Sequence, residues 1–237
     1  MKIALLGYGK MGHEVEKTAV SLGHTIGVVI DNEQDWLLKV ALFRDCDVAI
    51  EFSTPAIVTE NIKKCFETGI PVVVGTTGWY DRFDIVADQC NSSKGTLFYA
   101  SNFSVGVNIF FEINRRLAFM LNDYPMYSPA MSEIHHLQKL DAPSGTAISL
   151  AKDIIEVSNR IQRYTTSVPQ PGEIPVSSVR EGSVTGTHTI IWSSETDEIT
   201  IIHEAKNRSG FAQGAVMAAE WVLGRQGIYT MKDMLNS

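Results

Sequence analysis

The sequence is poor in the features that mark specialised chains. It has only three cysteines in 237 residues, Cys46, Cys65 and Cys90, far apart and forming no C-x-x-C pair. That excludes a disulfide framework and a cysteine-built zinc site, and leaves the thiols as reduced packing residues. It has no cluster of Lys and Arg, and its formal charge is -7, so the electrostatic footprint needed to bind nucleic acid is absent. Long hydrophobic runs are missing too. After Met1 and Lys2 the apolar stretch Ile3 to Leu6 stops at a glycine, too soon for a signal-peptide core or a membrane span. The expectation is a cytoplasmic protein with no membrane partner. Prolines gather only in "SVPQPGEIP" (167–175), which reads as a connector. With 44% hydrophobic residues, the chain can bury a proper core in one large domain or two modest ones.

What is present begins with "KIALLGYGKMGHEVEKTAVSLGHTIGVVID". An apolar run of strand length leads into glycines at 7, 9 and 12, a helical stretch to Gly23, and a β-branched run ending in Asp31. This is a complete βαβ unit. Gly7 suits the tight turn, Gly9 the approach of backbone to a pyrophosphate, and Gly12 close packing of helix on strand, with the helix N-terminus facing the anion. Asp31, nineteen positions beyond Gly12, is placed to accept hydrogen bonds from the adenosine ribose. Its charge favours NADH over NADPH, since no Arg or Lys follows until Lys39, although Lys10 could swing toward a 2'-phosphate.

The alternation continues through "DVAIEFSTP" (47–55), a helical stretch near 56–68, "IPVVVGTTGW" (70–79), a helix near 80–92 and "TLFYASNFS" (96–104). Strands alternating with helices predict an α/β fold, a Rossmann-type doubly wound parallel sheet. Ligands lie beyond the carboxyl ends of such strands, so Gly75, Thr76 and Thr77, and the loop Tyr99, Ala100, Ser101 and Asn102, are expected to line the nicotinamide half of the crevice. Plain turn chemistry is the competing reading of both segments.

From Ser104 to Leu121 an apolar helix leaves this domain, and the texture changes. Several β-branched runs between 174 and 206, divided by Gly, Ser and Asp turns, predict a second α+β domain with an open mixed sheet. A last helix over 210–227, rich in small residues, is expected to return and cover the first domain. The expected division is 1–104 completed by 208–237 for the dinucleotide, and 105–207 for substrate and oligomerisation.

The chemistry concentrates in "EIHHLQKLDAPSGTA" (133–147). His135 and His136 titrate near neutrality and suit proton transfer. Lys139 adds a cation, which Asp141 can hold. Gly145 and Thr146 open a helix whose Ala147, Ile148, Ala151, Ile154 and Ile155 recur at helical spacing, so its free N–H groups offer a carboxylate site. Either Asp141 or Ser144 could be the cap. A structural role for the histidines competes with a catalytic one, and two adjacent histidines without a third ligand predict no metal. His188, His203, Arg180 and Arg208 stand singly in strand-rich sequence and read as structural or supporting groups.

Taken together, "HHLQKLDAPSGTA", "GYGKMG", "GTTG", "SNFSVGVN" and "FAQGA" resemble, in order along essentially the whole chain, the dihydrodipicolinate reductase family, the 4-hydroxy-tetrahydrodipicolinate reductases of bacterial lysine and diaminopimelate biosynthesis. The resemblance implies an NADH- or NADPH-dependent oxidoreductase acting on a cyclic dicarboxylate imine. It implies His135 as proton donor and acceptor, Lys139 as second proton donor, and His136, Gly145 and Thr146 as substrate-binding residues. Gly7, Tyr8, Gly9, Lys10, Met11, Gly12, Asp31, Gly75 to Thr77 and Tyr99 to Asn102 match its cofactor segments. A homotetramer assembled through the second domain's sheet, with a nucleotide domain that closes on it, is also implied. Two departures stand out: the span from Asp31 to Val48 is short, so that a strand or loop near the adenosine pocket is expected to be missing, and Ala100-Ser101-Asn102 replaces the usual Ala-Pro-Asn. A reductase of another imine or keto acid, or an NAD-sensing regulator without turnover, would share the first domain. The regulator would have no need of His135 and Lys139.

Overall fold

The computed structural model describes residues 1–207 and 209–236; Arg208, one of the single charges named above, lies outside them. The chain forms two compact units. One comprises Met1–Val105 with the chain from Ser209 onward, and the other begins at Gly106.

In the first unit, β1 (Lys2–Leu6), α1 (Lys10–Ser21), β2 (Thr25–Ile30), α2 (Glu33–Arg44), β3 (Val48–Glu51), α3 (Val58–Thr68), β4 (Val72–Val74), α4 (Phe83–Ser93) and β5 (Thr96–Tyr99) follow in order. The strands line up as β5-β4-β3-β1-β2, all parallel. Strands covered on both faces read as unbroken apolar runs rather than alternating ones, and β3 and β4 are buried at every position. Ala4, Leu6, Ala49 and Val72 pack under Phe43, Ile62, Cys65 and Val86 on one face. Ile3, Leu5, Ile50 and Val73 pack under Val15, Ala19, Ala215 and Ala219 on the other. Cys46, Cys65 and Cys90 are free and buried.

The short span after Asp31 is filled by α2, for which no element was expected. It carries the chain from β2 to β3 on the far side of β1, so β2 is the sheet's edge. Asn32 caps it by accepting from the Asp35 N–H at 3.0 Å.

The second unit holds most of α5 (Val105–Leu121), then β6 (Ser128–His135), α6 (Gly145–Val157), β7 (Arg163–Thr165), β8 (Glu173–Arg180), β9 (Gly186–Ser193) and β10 (Glu198–Ala205). The sheet order is β10-β9-β6-β8-β7, with β9 antiparallel to both its neighbours and β6 parallel to β8. The open mixed sheet of the sequence analysis is thus observed, with β6 added to it. The expected connector at 167–175 gives way to β8 from Glu173, and Pro175 faces Thr165 within the sheet. Burial alternates along β6. The inner side of the sheet, bearing Met131, Val176, Ile190 and Trp192, packs on Leu150, Ala151 and Ile154 of α6, and each such fully buried side chain contributes about 1.5–3 kcal/mol.

The chain then rejoins the first unit as α7 (Ser209–Trp221), β11 (Gly227–Tyr229) and α8 (Met231–Leu235). A Cβ on Gly214 would stand 1.8 Å from the Phe103 carbonyl oxygen, which explains the small residues of α7. This helix stops earlier than the 227 expected. Gly224 takes a left-handed φ of +75°, turning the chain so that β11 adds a sixth parallel strand beside β5. No helix among the described residues is long and apolar enough to cross a membrane.

Candidate active site

The glycines of the first turn perform three separate tasks. Gly7 adopts φ +89°, and a Cβ there would lie 2.4 Å from the Phe52 carbonyl oxygen, so the turn is pressed against the end of β3. Gly12 seats α1 on that turn, since its Cβ would lie 2.5 Å from the Gly7 oxygen. Gly9 has nothing within 4 Å of a Cβ position, and it precedes a helix whose N-terminus has no side-chain cap and no acidic residue in its first turn. Open space in front of uncapped N–H groups has the geometry that can admit an anion. Lys10 is exposed beside it, while Tyr8 and Met11 lean onto the core.

Asp31, at the carboxyl end of β2, accepts from the Tyr8 N–H at 2.7 Å. Lys39 is engaged elsewhere, 2.7 Å from Asp35 and 3.1 Å from the Val29 carbonyl; its ammonium holds the Asp35 carboxyl below its ordinary value. Gly75 to Thr77 continue from β4, and a Cβ on Gly75 would meet the Phe52 ring at 2.0 Å. Thr76 is buried, and its carbonyl accepts from the Trp79 indole at 2.9 Å. Tyr99 to Asn102 leave β5, with Asn102 Oδ1 accepting from the Ser104 N–H at 2.9 Å. All these segments gather at the carboxyl edge of one parallel sheet. Sequence reasoning missed Glu51, a fully buried acid at the end of β3. Its carboxylate accepts from Ser53 and from Asn61, and burial pushes its pKa up.

In the second unit the register of three strands builds the site. Glu133 and His135 share the inner face of β6, where Glu133 faces Ser178 of β8 and His188 of β9, and His135 faces Arg180. Glu133 Oε1 accepts from the Ser144 N–H at 2.9 Å and from the Ser178 hydroxyl at 2.8 Å, with Arg180 at 3.5 Å. Its Oε2 lies 3.3 Å from His135 Nε2 and 3.6 Å from His188 Nε2. The two Nε2 atoms are 3.4 Å apart, and His135 Nδ1 stands 3.3 Å from the Thr185 carbonyl. Burial works to raise the Glu133 pKa, but the nearby His188 ring and hydrogen bonds from Ser144 and Ser178 outweigh it and hold the carboxyl far below the usual range. Burial lowers the His135 pKa, with Glu133 opposing and His188 and Lys139 adding to the fall.

His135 is therefore more enclosed than a sequence-level proton donor suggests, at 8% exposure, because the alternation of β6 turns it toward the covered face. His136 lies half-buried beyond it, its Nδ1 without a hydrogen-bond partner among the described residues. Lys139 Nζ donates to both oxygens of Asp141 at 2.8 Å. Arg180 pins this loop by donating to the carbonyls of Lys139 and Asp141, the supporting role expected of it. His203 sits opposite His188 in the register.

Ser144, not Asp141, is the cap of α6: its hydroxyl accepts from the Ala147 N–H at 3.1 Å, a contact worth about 1 kcal/mol. The Gly145 and Thr146 N–H groups have no protein acceptor among the described residues, and nothing lies within 4 Å of a Cβ on Gly145. His188, read from the sequence as a structural or supporting group, stands in the cluster beside Glu133, which sequence reasoning missed. The alternation in "SPAMSEIH" was the signal that pairs Glu133 with His135. With one ligand atom each inside 4.8 Å, Glu133, His135 and His188 have the residue types of a zinc site. A dication there would also meet the Arg180 guanidinium, so we read the cluster as a hydrogen-bonded acid–base set.

Comparison with known proteins agrees with this layout. Residues 1–103 match the family model described as dihydrodipicolinate reductase, N-terminus, and residues 106–235 that of its C-terminus. The 4-hydroxy-tetrahydrodipicolinate reductase of Christiangramia forsetii is 45% identical over 238 residues, spanning 100% of this chain and 98% of that protein. That of Acinetobacter baumannii is 31% identical over 264 residues, spanning 99% and 96%. Among solved structures, the dipicolinate-bound dihydrodipicolinate reductase of Paenisporosarcina sp. TG-14 shares the fold with a TM-score of 0.77 at 24% identity, covering 97% of each chain. With both halves matched in order and relatives aligned end to end, the chain belongs to the dihydrodipicolinate reductase family.

Proposed function

We propose that this chain reduces 4-hydroxy-tetrahydrodipicolinate to tetrahydrodipicolinate with a nicotinamide dinucleotide, the reaction for which its relatives are named. The observation that carries the reading is the segment from Glu133 to Thr146. It combines a buried His135–Glu133 pair, the Lys139 ammonium and two unpartnered N–H groups at the start of α6.

The open cradle at Gly9, the uncapped start of α1 and the carboxylate of Asp31 fit a dinucleotide. Asp31 favours NADH, because a 2'-phosphate would meet its charge, and Lys39 is already held by Asp35. Bound nicotinamide supplies the hydride that adds at C4 once the substrate has lost its 4-hydroxyl as water. Protonation of the neighbouring carbon completes the reduction.

His135 is the acid for that protonation. Burial lowers its pKa and so favours the neutral ring, and a dicarboxylate arriving beside it raises its proton affinity, so proton uptake accompanies binding. Gly145, Thr146 and Lys139 bind substrate carboxylate, with Lys139 exchanging Asp141 for the ligand and sharing in proton transfer; the half-buried His136 ring offers another contact. The sheet face turned away from α6 exposes Val179 and Ile202, which suits assembly of a homotetramer through this sheet.

The test is to supply the product that the upstream synthase forms from pyruvate and aspartate semialdehyde, and to follow nicotinamide absorbance. Rapid NADH consumption, with a lower KM for NADH than for NADPH, is expected. No oxidation above background with either nucleotide overturns the reading.

A further inference from the structure

Glu133 is fully buried and touches no solvent. Its two oxygens serve different partners. Oε1 accepts from the Ser144 N–H at 2.9 Å, at the residue that caps α6 and precedes Gly145 and Thr146. Oε2 faces His135 Nε2 at 3.3 Å. We propose that Glu133 is a positioning residue whose single carboxylate joins the two halves of the site, orienting the His135 imidazole on one oxygen and fastening the carboxylate-binding start of α6 on the other. This deepens the function proposed above and rests on its assignment of His135 and α6.

The physical case is one of geometry and charge. A buried histidine that gains a proton needs an anion against its ring, and Glu133 is the acid within reach. The same anion attracts the N-terminal end of the α6 dipole, so both partners pull on one group. The surroundings are fixed on every side. From β8, Ser178 donates at 2.8 Å and Arg180 stands at 3.5 Å. On β9, His188 sits 3.6 Å from Oε2 and 3.3 Å from the Ser144 hydroxyl, closing a ring that runs Glu133, His135, His188, Ser144. The Lys139–Asp141 pair lies on the connecting loop, and His203 of β10 lies beyond His188. The hydrogen bonds that keep Glu133 ionised serve this arrangement.

Glu133→Gln separates charge from shape: the amide can still accept from Ser144 and Ser178, but the anion is gone. The variant is expected to fold, to keep KM within about threefold, and to lose kcat roughly 10- to 100-fold. Because an anion raises the pKa of a neighbouring histidine, the alkaline limb of the kcat profile should move about one unit toward lower pH. A folded variant with the wild-type limb and an unchanged kcat overturns the proposal, as does a change in KM alone. Should the variant not fold, nitrogen-15 spectra of the wild type decide. His135 and the Ser144 amide must then titrate with a common midpoint, and a Ser144 amide that ignores the His135 titration overturns the proposal. The spectra need no turnover, so they remain decisive even if the wild type fails to consume NADH and the functional reading falls.

Discussion

The two units build their candidate sites from different materials. In the first, the site is backbone: a glycine turn, a bare helix start and the ends of parallel strands, where a side chain would be an obstruction at Gly7, Gly12 and Gly75. In the second, it is side chain: a carboxylate, two histidines and an arginine brought together by strand register, with a lysine on the connecting loop. A backbone site is sensitive to added atoms, whereas a side-chain site is sensitive to changed charge and hydrogen bonding.

The largest effect that should sharpen this contrast comes from the second site. His135→Gln is expected to lower kcat by about a hundred- to ten-thousand-fold with little change in KM, the range for loss of a general acid. Lys139→Ala should damage KM and kcat together. Steady-state assays over a substrate range check both, and equal, small losses in the two variants would break the division of labour.

Two glycines give the next comparison. Gly7→Ala forces a Cβ to 2.4 Å from the Phe52 oxygen at φ +89°, and should cost about 1–3 kcal/mol of stability along with dinucleotide affinity. Gly145→Ala meets nothing within 4 Å, so it should melt like the wild type while raising substrate KM several-fold, because the new methyl occupies the space in front of the α6 N–H groups. Calorimetry and nucleotide titration distinguish them; a Gly145→Ala variant with normal KM would remove α6 from the substrate site.

The smallest effect lies farther along α6. Burial, chiefly, raises the Asp153 carboxyl from its ordinary 3.8 to about 6, with Arg115 opposing and Glu156 and Glu112 adding to the rise. The folded protein then holds this proton more tightly than the unfolded chain, so the contribution is complete at low pH and is lost as pH rises from about 4 to about 6. Asp153→Asn should flatten the stability profile across that window and raise the melting temperature by roughly 2–4 °C at neutral pH. Arg115 keeps its 2.6 Å contact with Glu156 in either case. An unchanged profile would mean that the carboxylate is adequately solvated.

Legibility followed the same divide. The tight turn at Gly7 and the close packing at Gly12 could be read because they are local, spelled out in six consecutive residues. The helix opening at Gly145 was equally plain, while its cap needed coordinates, since Asp141 and Ser144 both have the right chemistry and only Ser144 stands where its oxygen reaches the Ala147 N–H. The α2 helix was overlooked because "EQDWLLKVALFR" is apolar on several sides and shows no clear stripe. The strand β6 was overlooked because its polar residues obscured the period-2 burial that marks it.

By itself the sequence determined the parallel α/β order, the glycine turn after β1, the acid that ends β2 and the crowding of titratable groups before α6. These follow from residue type and short spacing, which no packing partner can alter. Only the tertiary structure decided that Glu133, His135, Ser178, Arg180 and His188 form one cluster. They come from three strands up to 55 residues apart in the chain, and it is the pairing of β6 with β8 and β9 that sets them on one face. A shift of one residue in that register would turn Glu133 and His135 to the opposite side of the sheet.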